Sequence, residues 1–258
     1  MAKSNKRDAI NSIFKELYDN NTNSEILEFD NNKVKEVTGT NFRNQFDATK
    51  FESADKRPSL LKEKGFFIIH LSKGKHAFVK GEGYHNFEKI ENVVDWKKSA
   101  SHLDKVSKAE AQSASTAFND KIIHDFLFEN KEKDILIHTA RRAKTTFNFR
   151  IGKNKFDISG LQIEMDGIYE TKEVIATVEV KNTENSDFEI RQLFVAMKYF
   201  DMLKEKGEIP QNIDIKQLFM IRINKKEDNY FKLYEYKFKD KNNPNSITLV
   251  KCKRYNIK

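Results

Sequence analysis

The sequence predicts an α/β protein in which a mixed central sheet is flanked by helices and preceded by an N-terminal α+β module. Three observations support this fold class. They are a helix and hairpin pattern in the first third, a change of period near residue 110, and strand-like runs on both sides of a second amphipathic helix. The chain has 258 residues, with 21 Phe and eight Tyr. It is long enough for one large domain or two modest ones and too aromatic for a disordered chain.

The N-terminal elements are predicted in the order helix, polar stretch, helix, hairpin. Apolar residues recur at helical spacing at Ile10, Ile13, Phe14 and Leu17. A short helix is predicted at 58–65, with Pro near its start and Gly at its end. Apolar runs at 66–71 and 76–80 surround a Gly-containing turn and predict a hairpin. Helices followed by a basic-tipped hairpin are the order of a winged helix, although many unrelated α+β domains share it.

A polar stretch at 95–112 marks the predicted boundary between domains 1–108 and 109–258. From Ala111, a stripe of apolar side chains predicts one helix of about 18 residues. A second helix is predicted from Phe188 to Lys204. Strands are predicted at 145–151, 158–166, 174–181, 217–223, 230–236 and 246–251.

The formal charge of +8 is concentrated in three segments. Lys and Arg outnumber Asp and Glu by nine to four in 42–80, eight to two in 130–155 and seven to one in 237–258. These segments indicate either a solvated lysine-rich surface or a surface that binds a polyanion.

Composition excludes several classes of protein. No apolar run reaches the roughly 18 residues of a membrane span, and no apolar region follows the charged N-terminus as in a secretion signal. The single Cys252 excludes an intramolecular disulfide and a cysteine zinc cluster. The six histidines lack metal-binding spacing, and His124 and His138 are predicted to be structural. We therefore expect a soluble, intracellular protein with no membrane partner.

The most informative segment comprises the runs 161–170 and 174–182. Because side chains alternate along a strand, Glu164 and Asp166 share one face of the first run, and Glu179 and Lys181 share one face of the second. Gly167 and residues 171–173 lie where a hairpin would turn. If the strands pair, three carboxylates and a lysine converge beside a hydrophobic core.

Converging carboxylates favour a hard divalent cation, which can polarise a phosphoryl oxygen and lower the pKa of a bound water. A lysine on the same face can hold that water, so this pattern suits phosphodiester hydrolysis. The alternative is an amphipathic edge hairpin with one solvated face. Against it, the other face of the second strand is unbroken Val and Ala, and the next helix places Gln192 near the hairpin.

Asp166, twelve intervening residues, and Glu179-Val180-Lys181 resemble the PD-(D/E)XK nuclease signature. The wider pattern is similar to type II restriction endonucleases over residues 110–258, including the runs 162–170, 178–182, 187–193, 113–118 and 245–255. Before residue 110 the similarity is looser. The resemblance implies a restriction-endonuclease-like core, with a mixed sheet flanked by helices. Met165 stands where the signature has Pro, which leaves Glu164 and Asp166 competing for the leading ligand role.

The resemblance also implies residue roles. Asp166, Glu179 and the carbonyl of Val180 would bind Mg²⁺, with Mn²⁺ as a substitute, and Lys181 would orient the attacking water. Glu164 would support a second metal, and Gln192 would contact metal-bound water or phosphate.

DNA contacts are predicted from side chains suited to phosphates or base edges. The N-terminal candidates are Asn41, Arg43, Asn44, Gln45, Lys56, Arg57, Lys73 and Lys75. Arg141, Arg142 and Lys144, just before the catalytic hairpin, either clamp phosphates or belong to a solvated loop.

The resemblance thus implies a Mg²⁺-dependent type II restriction endonuclease of the prokaryotic cytoplasm that cuts double-stranded DNA, leaving 5′-phosphate and 3′-hydroxyl ends. A palindromic site would require a homodimer, and a DNA methyltransferase would belong to the same restriction-modification system. The alternatives are a non-catalytic DNA-binding protein on a nuclease-like scaffold and a less specific repair-type DNase.

Overall fold

A computed structural model describes residues 6–39, 44–97, 109–129 and 137–258. The N-terminal part contains four helices, a short 3-10 helix at Ala54–Lys56, and three strands. In chain order these are α1 (Lys6–Asp19), β1 (Ile26–Asp30), α2 (Asn31–Thr38), α3 (Gln45–Ala48), α4 (Ser59–Lys64), β2 (Phe66–Ser72) and β3 (Lys75–Lys80). The predicted first helix and hairpin are confirmed, while the polar stretch that carried no clear pattern folds into short helices.

The N-terminal core forms because α1 places its apolar stripe on the hairpin. Phe14 packs against Phe66 and Phe78, each with ring centroids 5.1 Å away. Pro58 lies at the N-cap of α4, and Gly65 ends the helix in the left-handed conformation, with φ of 70°. The helix predicted at 58–65 is therefore confirmed to within one residue at each end.

The remaining elements build most of the sheet. They are β4 (Tyr84–Asn86), β5 (Val93–Trp96), α5 (Glu110–Asn119), α6 (Ile122–Phe128), β6 (Ile137–Ile151), β7 (Asn154–Glu170), β8 (Val174–Lys181), β9 (Asp187–Glu189), α7 (Arg191–Glu205), β10 (Asp214–Asn224), β11 (Asn229–Phe238) and β12 (Ile247–Ile257).

Ten strands form one sheet in the order β1-β3-β2-β7-β8-β10-β11-β12-β5, with β6 paired to β7 off this path. The pairs β8–β10, β12–β5 and β2–β7 are parallel, and the others are antiparallel. The predicted α/β fold with a mixed sheet flanked by helices is confirmed. No helix in the described ranges is long and apolar enough to cross a membrane.

Helices cover both faces of the central strands because alternate residues of β8 and β10 enter two separate cores. Val178 and Val180 pack on the side of α5 and α6. Ile175 and Phe219 pack with the buried face of α7 on the opposite side. The Val/Ala face of β8 thus lies under helices, as the sequence predicted.

Two helix predictions were wrong at their boundaries. The helix predicted to run unbroken from Ala111 is split into α5 and α6, because Lys121 adopts a left-handed conformation with φ of 61°. The helix predicted to begin at Phe188 begins at Arg191 instead, since 187–189 form β9 and pair with β4.

The two halves of the chain are joined by pairing as well as by sequence. Ser72 of β2 lies opposite Ser159 of β7. Strands β4 and β5 precede the predicted boundary at residue 108, but they pair with β9 and β12, which follow it. The boundary itself stays a prediction.

Candidate active site

The β7–β8 hairpin holds the predicted catalytic segment. Gly167 lies opposite Val178 and Glu170 opposite Ile175. The turn is at 171–173, as predicted, where the Thr171 hydroxyl accepts hydrogen bonds from the N–H groups of Glu173 and Val174. Gly167, predicted as a turn residue, instead lies within β7. A Cβ there would stand 2.8 Å from Cγ1 of Val178, so any larger residue would force the two strands or the Val178 side chain to shift.

Asp166 is fixed by the backbone of the neighbouring strand. Its Oδ2 accepts a hydrogen bond of 2.8 Å from the N–H of Val180. The side chain is half-buried, and burial raises its pKa above the ordinary range, against the lowering effect of the Val180 hydrogen bond. The carboxylate is thus held beside the Glu179–Lys181 segment of β8.

Lys181, Glu179 and Gln192 form one hydrogen-bonded group. Lys181 Nζ donates to Glu179 Oε1 at 2.7 Å, and Gln192 Nε2 donates to the same oxygen at 2.5 Å. The side chain of Lys181 is only 8% exposed and that of Glu179 only 14%. Gln192 lies in the first turn of α7, so the predicted proximity of this residue to the hairpin is confirmed.

Two acidic residues that the sequence analysis missed also approach Lys181. Its Nζ lies 3.2 Å from Oε1 of Glu110, at the start of α5, and 4.0 Å from Oε1 of Glu52, in the N-terminal module. Burial favours a lower pKa for Lys181, but the carboxylates of Glu179, Glu110 and Glu52 outweigh it and raise that pKa. Lys181 is therefore a buried cation at the meeting point of three chain segments.

Glu179 has the most strongly shifted carboxyl of the group. Burial raises its pKa to about 7, with the Lys181 ammonium opposing the shift and the Asp166 carboxylate adding to it. Burial likewise raises the pKa of Glu110. A cation placed among these carboxylates would lower their pKa values and favour the ionised forms. Carboxylates that gain from a nearby cation in this way are typical of a metal site.

Glu164 lies on β7 with Asp166 but does not join the group around Lys181. Its exposed carboxylate accepts two hydrogen bonds from the Arg142 guanidinium, at 2.9 and 3.1 Å. Arg142 and Lys144 are exposed on β6, so this segment is a solvated strand and not a loop, and the choice between a phosphate clamp and a solvated surface stays open. Arg141 lies on the same strand, opposite Met165.

The predicted N-terminal DNA contacts lie in several places. Asn41 and Arg43 fall outside the described residues. Lys73 and Lys75 are exposed at the tip of the β2–β3 hairpin, and Lys56 is exposed at the end of the 3-10 helix.

The remaining three candidates have structural contacts. Asn44 caps α3 by accepting from the N–H of Phe46, and Gln45 begins that helix. The Arg57 guanidinium donates to the carbonyl of Phe66 at 3.0 Å and lies over the ring of Tyr84. Arg57 therefore joins two parts of the fold, a role that the sequence did not indicate.

The oxygen atoms of this group are of the kind that binds Mg²⁺. Within the described ranges, no three His, Cys, Asp or Glu side chains are grouped to hold a metal ion by themselves. Mg²⁺, however, is commonly held by one or two carboxylates, with waters and substrate phosphates completing the shell. Asp166 and Glu179 supply two carboxylates, and the buried Oε1 of Gln192 has no hydrogen-bond partner within the described part of the chain. These oxygens fit a magnesium ion.

The fold and this group define an α/β protein with a buried lysine–carboxylate cluster between two central strands and the helix that follows them. Residues 79–256 match the profile of a family described as a domain of unknown function (DUF6997), and the chain belongs to that family. Residues 7–78 match a second profile, also described as a domain of unknown function (DUF6996). No curated protein and no solved structure matches the chain.

Proposed function

We propose that this protein is a Mg²⁺-dependent endonuclease of the PD-(D/E)XK superfamily, of the type II restriction kind, acting on double-stranded DNA. The observation that carries the proposal is the convergence of Asp166, Glu179, Lys181 and Gln192. One hairpin and the first turn of α7 bring them together, since Asp166 accepts a hydrogen bond from the N–H of Val180, and Glu179 accepts from Lys181 and Gln192. Such a convergence of buried, shifted titratable groups is typical of a catalytic site.

The residues of the chain divide the chemical work. Asp166, Glu179 and the carbonyl of Val180 would hold Mg²⁺, which would polarise a phosphoryl oxygen and lower the pKa of a coordinated water. The Lys181 ammonium would orient the attacking water and balance the charge that develops on phosphorus. Gln192 holds Glu179 in place through its amide N–H and would direct its amide oxygen toward water or phosphate. In-line attack would leave a 5′-phosphate and a 3′-hydroxyl.

The N-terminal module would read the DNA. A winged-helix assignment is supported by the order of α1, β1, α2, α4 and the β2–β3 hairpin, with β1 pairing β3 at the sheet edge. Lys73 and Lys75 at the hairpin tip would contact phosphates. For a palindromic site, a homodimer would provide one active site per strand, and a methyltransferase of the same system would protect host DNA.

Digestion of a fully sequenced plasmid tests this function. With Mg²⁺, the wild-type protein should produce discrete fragments, and with EDTA it should bind without cutting. Ala substitution of Asp166, Glu179 or Lys181 should abolish cutting and largely spare binding. Asp157→Ala is the matched control, since this carboxylate lies on the same strand but is 77% exposed and distant in register from the site.

Each alternative outcome has a distinct meaning. Full activity in all three Ala variants would overturn the site assignment. A smear of fragments would indicate a repair-type DNase, and binding without metal-dependent cutting would indicate a non-catalytic DNA-binding protein. Run-off sequencing of the fragments, on methylated and unmethylated DNA, would then identify the recognition site.

A further inference from the structure

An open pocket of about 410 Å³ lies in the N-terminal module, where the start of α1 meets the segment that follows α3. We call it the cationic pocket. Its charged lining consists of Lys6, Arg7, Lys50 and Lys56, with Asp47 and Glu52. Four cations and two anions give a formal charge of +2, so the pocket favours an anionic ligand.

Two of the cations are held only loosely by their acidic neighbours. Lys50 Nζ lies 3.8 Å from Asp47 Oδ1, and Lys56 Nζ lies 3.9 Å from Glu52 Oε2. Both distances exceed that of a direct hydrogen bond. These exposed ammonium groups can therefore turn their N–H donors to an incoming oxyanion at little cost.

The other two cations are anchored to the backbone of the pocket wall. Arg7 donates from Nε to the carbonyl of Lys56 at 2.9 Å, and Lys6 donates to the carbonyl of Lys50. Lys6 Nζ also lies 4.4 Å from the ring centre of Phe51. These contacts tie α1 to the wall before any ligand arrives, which lowers the entropic cost of binding.

The cationic pocket adjoins the candidate active site through one carboxylate. Glu52 places Oε2 near Lys56 Nζ and Oε1 4.0 Å from Lys181 Nζ. The ammonium groups of Lys56 and Lys181 therefore face opposite oxygens of the same side chain. A chain of phosphates passing Lys181 would pass the pocket next.

We propose that the cationic pocket binds a backbone phosphate of the DNA strand, adjacent to the phosphate that lies at Lys181. The inference rests on the proposed function and extends it by a substrate-binding site. A phosphate fits better than a base, because the lining is charged and its aromatic ring, Phe51, is buried beneath Lys6. The N-terminal module would thereby position the strand at the centre of cleavage as well as read it.

The salt dependence of DNA binding tests the pocket. Each phosphate contact contributes about 0.9 to the slope of log affinity against log salt concentration. Because the pocket takes one phosphate, Lys50→Ala/Lys56→Ala should make the slope shallower by about 0.9, and Lys50→Ala by up to that amount, for all DNA sequences alike. Lys89→Ala is the control, because Lys89 is 88% exposed and far from the pocket in sequence. Melting temperatures of all variants verify folding, which the exposed positions of Lys50 and Lys56 should leave intact.

The outcomes separate the pocket from the nuclease assignment. If the wild-type protein cuts DNA and both variants keep its salt slope, the pocket assignment is overturned and the proposed function stands. Shallower slopes without metal-dependent cutting support the pocket and overturn the nuclease, whereas a wild-type protein that does not bind DNA overturns both. If inorganic phosphate raises the melting temperature of the wild type alone while the slopes are equal, the pocket takes free phosphate and the DNA assignment is overturned.

Discussion

Replacing Glu179 by Gln should stabilise the metal-free protein at alkaline pH, although it removes the central residue of the candidate site. Burial raises the pKa of Glu179 from 4.5 to about 7. The native state then binds more protons than the unfolded state between these values, so stability falls as pH rises through that window. The stability that the protonated Glu179 carboxyl contributes is fully present below pH 4.5 and is lost above about pH 7. Gln resembles the neutral carboxylic acid and lacks this dependence.

The magnitude follows from linkage. With a pKa of 4.5 in the unfolded state and about 7 in the native state, ionisation of Glu179 lowers the free energy of unfolding by about 3 kcal/mol at pH 8. About 1 kcal/mol of this loss has already occurred at pH 5. The pKa of about 7 already includes the attraction between the Lys181 ammonium and this carboxylate, and Glu110 also lies 3.2 Å from the ammonium. The stability of Glu179→Gln relative to wild type should therefore improve by about 2 kcal/mol between pH 5 and pH 8.

Urea unfolding in EDTA at half-unit steps from pH 5 to pH 8 measures this difference. Comparing the two ends of the range cancels any cost that does not depend on pH. Asp157→Asn removes an exposed carboxylate from β7 and should follow the wild-type pH profile. A constant free-energy difference between Glu179→Gln and wild type across the range would refute a desolvated carboxylate at this position.

Three further predictions concern packing around the site. Gly167→Ala should lower the free energy of unfolding by about 1–3 kcal/mol in urea, because the new Cβ would meet Val178; an unchanged value would contradict the close approach of β7 and β8. Asp187→Ala should cost about 1–3 kcal/mol and speed hydrogen exchange of the Ala54 amide, whose N–H donates to Asp187 Oδ1 at 2.7 Å. Phe188→Ala should cost about 3–5 kcal/mol by thermal unfolding, since this ring is 1% exposed; a loss below 1 kcal/mol would show that the surrounding rings collapse into the space.

The central strands and their faces could be predicted because their information is local. Alternation over 174–181 assigned Glu179 and Lys181 to one face of β8, where they contact each other. The predicted pairing of the two strands brings Asp166 to the N–H of Val180. Glu164, which alternation assigned to the face of Asp166, contacts Arg142 instead, so only two of the three predicted carboxylates converge. The same reasoning placed Gln192 near the hairpin, where it contacts Glu179. Periodicity and turn chemistry suffice wherever the information lies in residues that are neighbours in sequence.

Glu52 and Glu110 could not be predicted, since tertiary folding alone brings them to Lys181. Residues 52 and 181 belong to different modules, and no local pattern links an exposed acidic residue after α3 to a lysine on β8. Gly167 was predicted as a turn residue because glycine is common in turns. Its actual constraint is the lack of room for a Cβ beside Val178 and Ala114, and neither of these residues is a neighbour in sequence. The break between α5 and α6 had a local signal, Asn119-Asp120, which the apolar stripe obscured.

The long-range strand pairs of the fold have a kinetic consequence. Val93 of β5 lies opposite Arg254 of β12, and Tyr84 of β4 lies opposite Glu189 of β9. Such pairings close very long loops before they yield any contact, which slows folding. The meander β6–β7–β8 joins neighbours in sequence and can form early. Gln192 lies only three residues after the end of β9, which pairs late with the distant strand β4. We therefore expect the contact between Gln192 and Glu179 to be among the last to form during refolding.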